Sequence, residues 1–279
     1  MQVASFDVIP VVPKKRGRPR KIITETFTAN LPAPEICSEV EPAATDMPEH
    51  SGSSGLDTIQ YYWRLRQDLL RAHNRIELQC SAICRRWVAG DLVEASKLLS
   101  AAKKGRGPLG LLAVLDPYLQ AMYTLKTAQK DQEKILKKMG KQHPLFQAFA
   151  KDVRGIAALS FVGLLGEAGR EIQEYRSPAA LWKRFGLAVI EGARQRRVTG
   201  DAALIHGYAP QRRAFAYNIG VNLMMQQKEG DPYRTVYDKR KALELTRCET
   251  AGHANNRATR YMTKVLLRDL WFAARNLGA

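Results

Sequence analysis

Two sets of cationic residues in this 279-residue chain have the type and spacing to hold a polyanion. The first is Lys14-Lys15-Arg16-Gly17-Arg18-Pro19-Arg20-Lys21. Gly17 lets the backbone lie against the floor of a narrow minor groove, Pro19 keeps it extended, and Arg16 and Arg18 can point along the groove toward the base acceptors. This is the pattern of an AT-hook, which narrow A·T tracts attract through concentrated negative potential rather than through a strict sequence. A solvated basic run or a sorting signal is the alternative for the same residues. The second set is Arg194, Arg196, Arg197, Arg212 and Arg213, beside Gly192 and Gly200. Planar guanidinium forks at this density match phosphate oxygens of DNA or of a structured RNA, whereas an ordinary solvated loop is the plainer reading. Arg257, Arg260, Lys264 and Arg268 add cations on a partly polar face of the closing helix, where an ordinary exposed helix surface is the alternative reading.

Other chemistry is poorly provided for. Cys37, Cys80, Cys84 and Cys248 are too scattered for a disulfide framework and read as reduced thiols. A zinc site would need Cys80, Cys84, Cys248 and His253 to converge from distant segments, and no close Cys-x-x-Cys pair supports one, so no metal is expected. His73, His143 and His206 stand alone. No phosphate-cradling or dinucleotide glycine pattern occurs, so no cofactor is expected either. Thr199 is the only hydroxyl in the arginine-rich loop, and a β-branched alcohol without a paired base is a poor nucleophile. No catalytic residue is assigned.

The net charge of +17 points to a polyanion partner, because phosphate binding releases condensed counterions. The hook does not account for that charge. Residues 22–56 hold Glu25, Glu35, Glu39, Glu41, Asp46 and Glu49 and no Lys or Arg, so the N-terminal arm is near neutral and the excess lies in the body. The 45% hydrophobic content belongs to a globular chain. No apolar run approaches the roughly 18 residues of a membrane span, and the N-terminus lacks a secretory pattern. The expectation is a soluble protein without membrane contact, cytoplasmic, and nucleoid-associated if bacterial.

The elements that must position these groups are helical. Residues 1–56 lack an apolar period and end in Ser51-Gly52-Ser53-Ser54-Gly55, which predicts a disordered arm carrying the hook. From Asp57 a stripe of Tyr62, Leu65, Leu69, Ala72, Ile76, Ile83 and Trp87 predicts a helix ending at Gly90. Asp91 and Glu94 form a capping box for a short helix to about Ala102, followed by a break at Gly105-Arg106-Gly107-Pro108. Asp116-Pro117 then opens a long helix with Leu115, Tyr118, Met122, Leu125, Leu136 and Met139 at heptad positions, interrupted only by Gln129 and Gln132. That seam serves either a homo-oligomer or packing within the chain. Helices are further predicted from Pro178 to Phe185, Pro210 to Gln227, Pro232 to Leu245 and Asn255 to Asn276, the last burying Tyr261, Val265, Leu266, Leu270 and Ala273. The class is all-α, in three parts: 1–56 the arm, 57–148 a coiled-coil-like region, and 149–279 a helical domain.

Phe149 to Leu165 resembles a helix-hairpin-helix, with Val153-Arg154-Gly155-Ile156-Ala157-Ala158 at the turn. In that motif the turn offers backbone N–H groups to a phosphate, which makes Gly155 a candidate DNA contact; a plain helical corner capped by Gly155 is the alternative. Together with Leu181-Trp182-Lys183-Arg184-Phe185-Gly186-Leu187, Arg212-Arg213-Ala214 and Asp231-Pro232-Tyr233-Arg234-Thr235-Val236-Tyr237-Asp238, residues 150–279 resemble the C-terminal domain of insertion-sequence 110/116/902-type transposases. The preceding long helix is also similar to that family's. The resemblance implies DNA recombination in a mobile-element context. The family's RNase-H-like N-terminal domain with metal-binding carboxylates and its nucleophilic serine have no counterpart here, since no serine follows Ser177. The expectation is therefore a non-catalytic DNA-binding protein that prefers A·T-rich duplex, with branched DNA and structured RNA as further partners. The alternatives are an active or partner-dependent recombinase using Thr199, and a helical structural or oligomerisation protein.

Overall fold

The structure, a computed structural model, describes residues 55–278. The Lys14 to Lys21 run, Cys37 and nearly all of the 1–56 arm lie outside these residues. The fold is all-α. Its helices are α1 (Gly55–Trp87), α2 (Leu92–Ala102), α3 (Leu109–Gln142), α4 (Pro144–Ala148), α5 (Ala158–Ala168), α6 (Pro178–Arg184), α7 (Ala202–His206), α8 (Pro210–Gln226), α9 (Pro232–Leu245) and α10 (Ala251–Leu277). Single 3-10 turns lie at Ala150–Asp152 and Ile172–Glu174. The only strands among the described residues are β1 (Val189–Ile190) and β2 (Ala193–Arg194), an antiparallel hairpin that pairs Val189 with Arg194 and Ile190 with Ala193. Its tip is Glu191-Gly192, both at positive φ (50° and 73°), the backbone that a two-residue hairpin turn demands.

Local signals set most helix starts. Asp91 accepts from Val93 N at 2.8 Å and Glu94 N at 3.1 Å, and Ser177 accepts from Ala180 N. Pro144, Pro178, Pro210 and Pro232 each occupy the first helical turn, where a missing N–H costs nothing. Some starts differ from the sequence reading. The last helix begins at Ala251, because Thr250 caps it by accepting from His253 N at 3.2 Å. The long helix begins at Leu109, leaving Pro117 in its interior. An interior proline costs about 3 kcal/mol. Burying Leu111 and Leu115, both fully enclosed, contributes about 3–6 kcal/mol. Ala113, whose carbonyl Pro117 leaves without a helical donor, is an exposed residue.

Helices α1 and α3 run antiparallel, as Trp63 shares a cluster with Leu136 while Cys80 and Cys84 share one with Leu111, Leu115 and Met122. Of the heptad seam of α3, Leu115, Tyr118, Met122, Leu136 and Met139 pack into these clusters within the chain. The expected α1 stripe lies only half-buried and Trp87 is exposed; the deepest positions are Leu56, Ile59, Trp63, Cys80 and Cys84. Cysteine packs as a small apolar group here, which a reading that treats it as chemistry overlooks. Between the two ends lies a polar layer. Arg66 pairs with Glu133 at 2.6 Å, and Gln129 donates to Glu133 at 3.0 Å. Burial pushes the Glu133 carboxyl up, but the bonds from Gln129 and Arg66 outweigh it and hold it below the usual carboxylate range.

The main core joins the base of this hairpin to α5, α8, α9 and α10. Trp63 lies over α5 where a Cβ on Gly166 would come within 2.5 Å of its Cγ and one on Gly163 within 2.7 Å of its Cη2. Its indole N–H donates to Glu167 at 3.0 Å, and the Phe215 ring stands edge-on at 5.4 Å. On the other side, Gly220 of α8 meets α10 so closely that a Cβ would come within 2.9 Å of Thr259 Cγ2. The buried line of α10 runs through Ala258, Met262, Leu266, Leu267, Leu270, Trp271 and Ala274. Of the expected stripe, Leu266 and Leu270 lie on this line, whereas Tyr261 is exposed and Val265 and Ala273 are partly so.

His143 closes α3 and caps α4, its Nδ1 accepting from Leu145 N at 3.1 Å while its ring meets Phe161. Burial holds its pKa below the ordinary 6.5. The unfolded chain therefore takes up this proton first as the pH falls, so the contribution is intact above about pH 6.5 and declines as the pH drops toward the folded value. The urea midpoint is expected to fall between pH 7.5 and pH 5.5, and to fall less in His143→Asn, which keeps a capping acceptor.

Candidate nucleic-acid interface

The loop after α6 is built on a buried glutamine that sequence reasoning passed over. Phe185, fully enclosed, and Leu187 anchor the turn at Gly186. Gln195 is 1% exposed; its amide donates to Lys183 O at 3.1 Å and to His206 O, and its oxygen accepts from Ala188 N at 3.2 Å. One side chain thus ties α6, the hairpin and α7 together, and leaves its neighbours Arg194, Arg196 and Arg197 exposed.

The structure brings Arg194 and Arg213 together and separates the other expected contacts. Arg194 and Arg213 line a cleft of about 660 Å³ with Tyr208, Pro210, Ala214, Tyr217, His253, Asn256, Arg257 and Arg260. Arg212, next to Arg213 on α8, turns to the opposite side of the hairpin. There it donates to Arg184 O at 3.3 Å and lines a second cleft of about 470 Å³ with Arg170, Arg176, Lys183 and Arg184. Arg196 and Arg197 line neither cleft.

Gly155 also lies apart. It holds φ 99° with its α-carbon against α8, where a Cβ would come within 3.0 Å of Leu223 Cα and 3.2 Å of Asn222 O. Gln227 fixes the same turn by donating to Arg154 O at 2.6 Å. The expected helix from Phe149 is instead the five-residue α4 followed by one 3-10 turn, because Pro144 and the His143 cap start a helix too early to reach the turn. Gly155 is placed to seat the turn on α8.

Arg260 is a half-buried cation of the first cleft. Its Nη2 donates to Leu187 O at 2.8 Å and Ala188 O at 2.9 Å, which pins the guanidinium beneath the hairpin. Burial, then the charges of Arg213, Arg194 and Arg257, push its pKa down to about 10. Burial and the charge of Arg194 likewise lower Arg213, and burial with Arg260 and Arg213 lowers Lys264. The positive charges of these groups repel one another. Arg194, Arg196, Arg197, Arg212, Arg213 and Arg260 have no ion pair among the described residues. By contrast, Arg66, Arg154, Arg234, Arg240, Arg257 and Arg268 each have one. The partner of Arg257 is the fully buried Glu244, which Arg240 also contacts.

Thr199 is exposed and makes no hydrogen bond among the described residues. Cys80 and Cys84 sit in the α1–α3 core and Cys248 at the start of the α9–α10 turn, so the four zinc candidates do not gather. No group of three or more His, Cys, Asp or Glu side chains poised for a metal occurs among the described residues. None of the described helices is long and apolar enough to cross a membrane.

The fold and site define an all-α protein in which three unpaired arginines, Arg194, Arg213 and Arg260, line one cleft. No protein-family model, curated protein or solved structure matches the chain.

Proposed function

We propose that the chain is a non-catalytic DNA-binding protein that holds backbone phosphates in the Arg194, Arg213 and Arg260 cleft and A·T-rich duplex through Lys14 to Lys21. The observation that carries the reading is the unneutralised cluster. Arginines are held close enough to depress one another's pKa with no acid in the cleft wall, an arrangement that a phosphate backbone relieves and that a merely structural surface has no reason to keep. The second basic cleft around Arg212 lengthens the cationic track on the other side of the hairpin. The resemblance of residues 150–279 to the C-terminal domain of insertion-sequence transposases supports a role in a mobile-element context, with DNA holding kept and chemistry absent.

The test is salt-titrated binding of the full chain to A·T-rich and G·C-rich duplexes of equal length. Affinity is expected to fall steeply and log-linearly with salt, by about one order of magnitude or more per threefold rise, because several phosphate contacts contribute. Arg16→Ala with Arg18→Ala is expected to erase the A·T preference and leave most G·C affinity in place. A surviving preference in that double variant would remove the hook from the reading, and a flat salt response would remove the phosphate contacts.

A further inference from the structure

We infer that the cleft between α8, α10 and the hairpin takes an unpaired nucleotide, its base against Tyr217 and its flanking phosphates on Arg194 and Arg213. The inference rests on the nucleic-acid reading and narrows it to one form of the polymer. A convex basic surface is enough to hold duplex phosphates, but this site is concave and has aromatic rings set among its cations. Its volume of about 660 Å³ is enough to admit one nucleotide.

The geometry follows from how the two helices meet. They touch at Gly220 against Thr259 and Thr263, and toward their N-terminal ends the facing residues no longer fill the space. Arg213 and Tyr217 are four apart on α8, and His253, Asn256, Arg257 and Arg260 recur at three- and four-residue steps on α10, so each set shares one helix face. Those faces carry cations, a half-exposed tyrosine ring and amide and imidazole groups where packed helices would carry apolar residues. Tyr208 forms the floor by lying against Gly186, where a Cβ would come within 3.2 Å of its Cε2. Tyr217 has no such duty and is 47% exposed. An aromatic face flanked by guanidinium groups is how proteins hold single-stranded bases without reading their identity, and each stacked base raises affinity by about fivefold or more.

Electrostatics alone favours the opposite choice, because a duplex has the higher charge density and releases more counterions per contact. A single-strand preference therefore reports the cleft rather than the net charge. The experiment measures binding of the full chain to a cytosine-rich single strand of about 20 nucleotides and to the duplex it forms with its complement, a pair that keeps A·T-tract recognition out of the comparison. The parent protein is expected to bind the single strand about tenfold more tightly. Tyr217→Ala is expected to lower single-strand affinity about tenfold and leave duplex affinity within about twofold, while Tyr217→Phe keeps both, as expected from stacking energies. Duplex binding equal to or tighter than single-strand binding, or a single-strand preference that Tyr217→Ala leaves intact, overturns this inference and leaves DNA binding standing. Failure to bind either probe at low salt overturns both.

Discussion

Arg194→Ala combined with Arg213→Ala is expected to weaken binding of a short G·C-rich duplex about a hundredfold at low salt and to lower the slope of log affinity against log salt by about two. The two arginines come from the hairpin and from α8, yet they face one cleft and neither has an ion pair among the described residues. A charge-assisted contact to phosphate is worth about 1.5 kcal/mol or more, close to one order of magnitude in affinity. The double variant should fold about as well as the parent, because it removes two charges that, after burial, add to the depression of Arg260. Reduced binding with undiminished stability is the signature of a binding site, since a structural role would lose both together. Arg268→Ala, which removes a cation already paired with Asp269 at 2.8 Å, is the matched comparison and should change the slope little. An unaltered slope in the double variant would take the cleft out of the binding surface.

Trp63→Ala is expected to lower unfolding free energy by about 3–5 kcal/mol, read as a drop in the urea midpoint at constant slope. The ring is 3% exposed and ties α1 to two other helices: it covers Gly163 and Gly166 of α5 and hydrogen-bonds Glu167 of the same helix, and it stands against Phe215 of α8. Truncation leaves a void that two glycines cannot fill and removes the donor from a partly buried carboxylate. The reciprocal change, Gly166→Ala, places a methyl where the indole stands and should cost about 1–3 kcal/mol through overpacking. A loss below about 1 kcal/mol for Trp63→Ala would mean that the junction between α1 and α5 does not carry the stability that its packing implies.

Much of the fold was legible because it is written in local chemistry. Asp91, Ser177 and the prolines at 178, 210 and 232 mark helix starts that depend only on which groups lack partners in the first turn. The errors arose where packing outweighed a local signal. Pro117 looks like a helix start, but enclosing Leu111 and Leu115 extends α3 through it. Cys80 and Cys84 carry the core at the far end of α1, where a stripe that omits cysteine points to Trp87. The site was half legible. Arginine density flagged Arg194 and Arg213, but adjacent residues on a helix differ by about 100° in direction, so Arg212 and Arg213 go to different clefts. Arg260 and Tyr217 enter through the meeting of two helices distant in sequence, and no spacing rule within one segment reveals that. Gln195 could have been flagged as an uncharged residue inside a cationic run, although its three backbone partners could not.

The polar layer of Arg66, Gln129 and Glu133 has a consequence for how the molecule comes apart. It divides the α1–α3 pair into two apolar clusters that share helices but no buried side chain, the smaller holding Cys80, Cys84, Ala95, Leu99, Ala102, Leu111, Leu115 and Met122. Cooperativity passes through contiguous apolar contact, and a band of hydrogen-bonded charge tolerates solvent far better than a leucine layer does. The tip of the hairpin can therefore open as its own cooperative unit while α5, α8 and α10 stay closed. The amides of α2 would then exchange with solvent through a cheaper opening than those of α5, and the cleft would keep its shape through that breathing.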